Sequence, residues 1–197
     1  RTTIEIYEKY FKRKKILLCF SPERIAEGNM IQEFKKLPII IGGIDKKSSS
    51  AAEKFFKKHL KVKLIKTNNS TEAELVKLFD NLWIDLNIAL GNEVGKVSKV
   101  LNVNALNVIK AANTLKKGSS YVNILTPSVG VGGYCLTKDP LFLNKFAQKM
   151  KLKIYTPIAS RKINDSMPNY LKSLYEKKIK ELKMKQIKAL ILGYSFK

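Results

Sequence analysis

Cysteine, arginine and acidic side chains are all scarce in this chain. Two Cys in 197 residues, Cys19 and Cys135, cannot supply the framework of a disulfide-stapled secreted domain. Only four of the 38 Lys plus Arg residues are Arg (Arg1, Arg13, Arg24 and Arg161). The planar Arg fork is the preferred reader of bases and phosphates, so its scarcity argues against a nucleic-acid-binding module. No apolar run approaches the ~18–20 residues of a membrane span; Pro38–Ile44 is among the longest and is strand-sized. The N-terminus, Arg1-Thr2-Thr3-Ile4-Glu5, has neither a basic n-region nor an apolar h-region, so no secretion signal is read there. It also lacks an initiating Met, so the chain reads as a piece of something longer. A soluble, cytoplasmic protein of a reducing compartment is the expectation.

What is present is apolar material and lysine. Apolar residues make up 45% of the chain, enough for a core, and 38 basic against 16 acidic residues give 38 − 16 = +22. A length of 197 residues accommodates one or two domains. The lysines are scattered over every segment and form no stripe interleaved with aromatics. They read as a solvated surface rather than as an electrostatic footprint for a polyanion.

The first third alternates. Thr3–Lys14 reads as a helix, Ile16–Phe20 as a buried strand closed by Ser21-Pro22, and Pro38–Ile41 as a strand stopped by Gly42-Gly43. A helix over Ser48–Leu60 and a strand over Val62–Ile65 complete a βαβ rhythm, the signature of a parallel sheet. After Asn69 the period changes to helical. Thr71 and Glu74 suggest a capping box, and the pattern then runs unbroken to Leu101, about 30 residues or roughly 45 Å. Such a helix is expected to pack against a second copy of the chain. A shorter helix follows over Asn104–Leu115, then an ordered Gly/Ser/Pro loop over 118–135, a helix opened by Asp139-Pro140, and a helix over Pro157–Glu181. Ile187–Gly193 reads as a final strand.

Three stretches carry chemistry. In Gly130-Val131-Gly132-Gly133-Tyr134-Cys135, glycines allow a ligand close to the backbone, and a thiol follows them. Lys77 and Asn81 are one helical turn apart and could together hold an oxyanion. Ser21-Pro22-Glu23-Arg24-Ile25-Ala26-Glu27-Gly28 follows a strand, where open α/β sheets place ligands. Taken singly, each also reads as ordinary structure: a small buried Cys, a solvated helix pair, an acidic turn.

Taken together, Ser21–Gly28, Ala73–Asn81, Gly130–Pro140 and Ile191–Lys197 resemble, in order, the motifs of the nucleotide-sugar dehydrogenases, the UDP-glucose/GDP-mannose dehydrogenase family. The Ser-Pro-Glu-Arg and Ile-Ala-Glu-Gly runs, with Val122-Asn123-Ile124, resemble most the branch acting on UDP-N-acetylhexosamines, UDP-N-acetylmannosamine above all. The resemblance implies an α/β fold class. Residues 1–67 would be the C-terminal part of an NAD-binding, Rossmann-like domain. Residues 68–165 would be a central, all-helical dimerisation and catalytic domain, and 166–197 a linker helix and the first strand of a second, UDP-binding α/β domain. It implies oxidation of the sugar C6 alcohol by NAD through a Cys thiohemiacetal and thioester, for surface polysaccharide synthesis, with a UDP-sugar substrate and a homodimer as partners.

By the same resemblance Cys135 is the nucleophile, Lys77 and Asn81 steady the oxyanion, Glu23 serves the hydrolytic water and Asp139 assists proton movement. Glu27 and Lys138 lie near the cofactor. Arg24, Thr126, Gly130, Gly132, Phe196 and Lys197 stand at substrate-binding positions, and no metal site is implied. The chain departs from the family in having no strand–Gly-x-Gly-x-x-Gly–helix, and in Tyr134 beside the nucleophile, where a smaller residue or His is usual. It also lacks the Arg expected near Lys116–Tyr121. Without the glycine cradle, the 197 residues are not expected to reduce NAD alone. A truncated, catalytically inactive dimerising fragment of such an enzyme is the alternative reading.

Overall fold

A computed structural model describes residues 2–14, 16–25, 28, 30–183 and 187–193. The chain divides into two compact units, Arg1–Asp80 and Asn81–Lys197.

In the first unit α1 (Thr2–Ile6) runs on as a π turn over Tyr7–Phe11 and a 3-10 turn over Lys12–Lys14. Three strands follow, β1 (Cys19–Phe20), β2 (Ile39–Gly43) and β3 (Leu64–Lys66), in the order β1-β2-β3. β2 is central, and its Ile40 and Ile41 are buried in the core. It pairs in parallel with β3 (Ile39↔Leu64, Ile40↔Ile65) through α3 (Lys46–His59), which is the βαβ crossover read from the sequence. β1 instead pairs antiparallel with β2, Cys19 opposite Gly43. The expectation of a parallel sheet therefore holds for one strand pair only. Among the described residues the connection between β1 and β2 contains the seven-residue α2 (Met30–Lys36), and it brings the chain back alongside in the opposite direction.

Gly42 and Gly43 do not stop β2; they belong to it. A Cβ on Gly42 would lie 2.3 Å from the Asn69 carbonyl oxygen and 2.9 Å from the Ala73 Cβ. The missing side chain is what lets the next helix start directly against the strand. α3 is capped by Asp45, whose carboxylate accepts from the Ser48 N–H at 2.7 Å. That backbone bond, seconded by the Ser48 hydroxyl, holds Asp45 below the usual carboxylate range.

The long helix α4 spans Ser70–Val100, 31 residues, and its first part belongs to the first unit. Thr71 and Glu74 do not form its capping box. Asn69 accepts from the Glu72 N–H at 3.0 Å, and the Glu72 carboxylate reaches back to the Asn68 N–H at 2.8 Å. Asn and Glu at that three-residue spacing satisfy the free donors one turn earlier. Glu74 is left to accept from the Thr3 N–H and hydroxyl.

In the second unit the rest of α4 is joined by α5 (Ala105–Ala112, capped by Asn104), α6 (Tyr134–Lys149) and α7 (Thr156–Glu181). A small hairpin, β4 (Lys116–Lys117) with β5 (Ser120–Tyr121), was not legible in the sequence. The core is formed by Leu82, Ala89, Ile109, Leu143, Ala147 and Met167. α6 begins at Tyr134, after Gly133 at φ 82°, and not at Asp139-Pro140. Pro140 sits inside it, one turn after the Leu136 carbonyl that it cannot bond. The strand expected at Ile187–Gly193 is not formed. A strand needs a hydrogen-bonded neighbour, and the described residues supply none; Leu190, Ile191 and Leu192 are 83–86% exposed. Among the described residues no helix is long and apolar enough to cross a membrane.

Candidate active site

In the first unit, the segment after β1 is fixed by Ser21, whose hydroxyl donates to the Ile40 carbonyl at 2.8 Å. Glu23 and Arg24 follow it and meet the first turns of α4. The Glu23 carboxylate lies 3.7 Å from the Lys77 ammonium, and the Arg24 guanidinium 3.2 Å from the Asp80 carboxylate. Lys77 and Asp80 are three residues apart on the helix, so one face receives both ion pairs. Glu23 also accepts from the Ile25 N–H and stays 65% exposed, which leaves it open to solvent. A cavity of about 200 Å³ adjoins this segment, bounded by Pro22, Glu23 and Arg24 on one side and by Phe34 and Phe56 on the other. Glu27 lies outside the described residues.

In the second unit, Asn81 and Asp139 meet in the interior. The Asn81 amide donates to one Asp139 oxygen at 2.5 Å, and the Lys138 ammonium contacts the other. Asn81 and Asp139 are both buried, so the carboxylate is satisfied on both oxygens, as an ion in a dry place must be. Lys138 is half exposed and lies over the Phe142 ring. Cys135 is exposed in the first turn of α6, one turn before Asp139 and on the same face of the helix. Cys19 is the opposite case. Burial pushes its thiol up from the ordinary value, opposed only in part by a bond from the Gly42 backbone. Of the two thiols, Cys135 is the one open to solvent.

The loop before α6 is held by residues that the sequence reading missed. Asn87 accepts from the Leu125 N–H and donates to the Asn123 carbonyl, and Asn113 bonds both the N–H and the carbonyl of Ile124. Gly91 and Gly95 continue the Asn87 row at four-residue spacing. A Cβ on Gly91 would lie 2.2 Å from the Leu125 oxygen, and one on Gly95 3.0 Å from the Pro127 ring. The signal was available: Asn, Gly and Gly one turn apart form a polar, side-chain-poor row on an otherwise apolar helix. Thr126 and Gly132 are exposed on this loop and Gly130 is half-buried. Phe196 and Lys197 lie outside the described residues.

Such a thiol at the start of a helix, beside a buried amide–carboxylate pair and behind a glycine loop, suits covalent capture of a carbonyl. The comparison with known proteins gives the family. Residues 71–166 match the central domain of the UDP-glucose/GDP-mannose dehydrogenase family, and the chain belongs to that family. Over 199 residues it is 38% identical to the UDP-N-acetyl-D-mannosamine dehydrogenase of Methanococcus aeolicus, covering 100% of this chain and 43% of that protein. The same enzyme of Methanocaldococcus jannaschii is 38% identical over 197 residues, again covering 100% and 43%. The solved structure of the UDP-D-ManNAc dehydrogenase of Pyrococcus horikoshii superposes with a TM-score of 0.82 at 32% identity, over 93% of this chain and 44% of that one. The chain thus spans less than half the length of these relatives.

Proposed function

We propose that this chain carries the thiol-bearing part of an NAD-dependent dehydrogenase that oxidises C6 of a UDP-N-acetylhexosamine, foremost UDP-N-acetylmannosamine, to the uronic acid. The reading rests on Cys135, an exposed thiol one turn from the buried Asn81–Asp139 pair, in a chain 38% identical to relatives named for that substrate. When bound, NAD would supply the oxidising chemistry, as a hydride acceptor for each of the two oxidations. The residues that would face it are Lys138, whose ammonium is half exposed, and Glu27. The sequence holds no Gly-x-Gly-x-x-Gly cradle for its pyrophosphate. A cytoplasmic location and a role in surface polysaccharide synthesis go with this reading.

The work of the chain's own residues then follows. The Cys135 sulfur adds to the C6 aldehyde, and the carbonyl oxygen becomes a thiohemiacetal oxygen that Lys77 and Asn81, one turn apart on α4, steady with N–H donors. After the second oxidation the product is a thioester. Water, oriented by Glu23, attacks it; the C–S bond breaks, the carboxylate leaves and the thiol regains its proton with help from Asp139. Arg24, Thr126, Gly130, Gly132, Phe196 and Lys197 bind the sugar nucleotide. On this reading residues 1–67 are the C-terminal part of the cofactor domain, 68–165 the central domain, and 166–197 a linker helix and the start of the UDP-binding domain.

The test is a chimera in which residues 1–197 replace the matching segment of the Methanococcus aeolicus relative. It is expected to form NADH from UDP-N-acetylmannosamine, and Cys135→Ala to lower product carboxylate by at least about a hundredfold. A folded Cys135→Ala chimera that makes the uronic acid at the parent rate overturns the proposal.

The homodimer belongs to the same reading. Trp83, Leu86, Leu90, Val97 and Val100 are all exposed on α4, Trp83 at 53% and Val97 at 58%. With Glu93 they repeat every three and four residues, the spacing of a helix–helix seam. Leu90→Lys is expected to shift the sedimenting species from dimer to monomer; an unchanged mass for this variant counts against the seam.

A further inference from the structure

Two prolines interrupt the helices that carry the second unit's site, and each frees a carbonyl. Pro140 in α6 has no N–H for the Leu136 oxygen, and Pro168 in α7 none for the Asn164 oxygen. Neither carbonyl faces empty space. The Arg161 guanidinium donates to the Leu136 oxygen at 3.4 Å, in the turn that carries Cys135. Gly130 of the glycine loop, at φ 149°, lies against the Asn164 oxygen so closely that a Cβ would be 3.2 Å from it.

The same two residues are linked through the interior. Arg161 donates to the Asp85 carboxylate at 2.6 Å, and the Asn164 amide donates to that carboxylate at 2.8 Å and to the Asp85 carbonyl at 2.9 Å. The Asn164 oxygen accepts from the Asn92 amide at 3.0 Å, and the Asn92 oxygen accepts from the Ser128 N–H at 2.7 Å. Ser128 closes the chain by donating its hydroxyl to the Gly130 carbonyl at 3.0 Å. Asp85, Asn92, Asn164 and Arg161 are at most 5% exposed. A connected run of hydrogen bonds, buried at its centre and part-buried at its two ends, thus begins at the Cys135 turn and ends on the glycine loop.

We propose that Asp85, Asn92, Asn164 and Arg161 act as one positioning device, which sets the glycine loop in fixed register with the Cys135 turn. None of them touches the reacting atoms; they act through Ser128 and Leu136. The inference rests on the function proposed above for Cys135 and the loop, and it names what keeps the two together. Buried polar networks that are fully satisfied hold one arrangement because any alternative leaves a partner unpaired. A thiol placed for attack tolerates little displacement from the substrate that the loop holds.

The experiment uses the 197-residue chain. Arg161→Lys keeps a cation for Asp85 but removes the fork that reaches Leu136. It is expected to unfold within a few degrees of the parent, yet to change the iodoacetamide alkylation rate of Cys135 at least threefold and leave Cys19 unaffected. Asn164→Ser, which does not touch Ser128, is expected to speed hydrogen exchange of the Ser128 amide at least tenfold. If Asn164→Ser does not fold, Asp85→Asn, which acts on Asn164 and likewise does not touch Ser128, gives the same readout on the loop. Parent values for both the Cys135 rate and the Ser128 amide in folded variants overturn the device. Failure of the function reading would show instead in the Cys135→Ala chimera, where these two readouts play no part.

Discussion

Arg161→Met is expected to be among the most damaging single substitutions in the second unit, lowering its stability by about 3–5 kcal/mol. Asp85 is fully buried, and among the described residues the cation paired with it is Arg161, at 2.6 Å. Removing the cation leaves a carboxylate with only the Ser160 hydroxyl and the Asn164 amide as donors, too little to offset its lost hydration. The measurement is chemical denaturation followed by circular dichroism. The double variant Asp85→Leu/Arg161→Met separates causes. It removes both charges and leaves Ser160 with the Pro157 carbonyl and Asn164 with the Asp85 backbone carbonyl. It is expected to recover most of the loss. A single variant within about 1 kcal/mol of the parent would mean that the pair is not the anchor its geometry indicates.

Gly91→Ala comes next. In an isolated helix this change would stabilise by about 1 kcal/mol, since Gly is the poorer helix former. Here the new methyl would sit 2.2 Å from the Leu125 carbonyl oxygen, which is backbone and cannot rotate away. Either the loop lifts and loses the Asn87 bonds to Asn123 and Leu125, or α4 shifts. We expect a net loss of about 2–3 kcal/mol, steric strain outweighing propensity. Gly95→Ala is the control: its methyl would meet only the Pro127 ring, at 3.0 Å, and that side chain can yield by a few tenths of an ångström. It is expected to be near neutral. Equal thermal unfolding of the two variants would show that the loop does not lie as closely on α4 as described.

The helices were legible because their signal is local. The period of apolar residues over 71–101 placed α4 to within a residue at each end, and the α3 and α7 boundaries came within two residues for the same reason. Strand direction was not local. Nothing in Ile16–Phe20 says which way β1 will run beside β2, because direction depends on the path of the chain between them. Residues 187–193 have the composition of a strand, but a ladder requires a partner, and composition does not provide one. The start of α6 was misplaced because Asp-Pro is a common helix opening, whereas here the helix begins at Tyr134 and carries Pro140 inside it, the freed Leu136 carbonyl accepting from Arg161 instead.

The candidate site divides along the same line. The residue types, their order and the family they belong to could be read from the chain itself: Glu23, Lys77, Asn81, the glycine loop, Cys135 and Asp139 lie in short motifs whose spacing is their signature. Asn81 meeting Asp139 across 58 positions, and Asn92 meeting Asn164 across 72, could not. Neither could the proline-freed carbonyls, one accepting from Arg161 and the other lying against Gly130. Sequence order fixes which groups a short segment presents, since neighbours on one turn are covalently held. Which distant groups meet is decided by packing, where a buried donor is stable only against the acceptor that the fold happens to deliver.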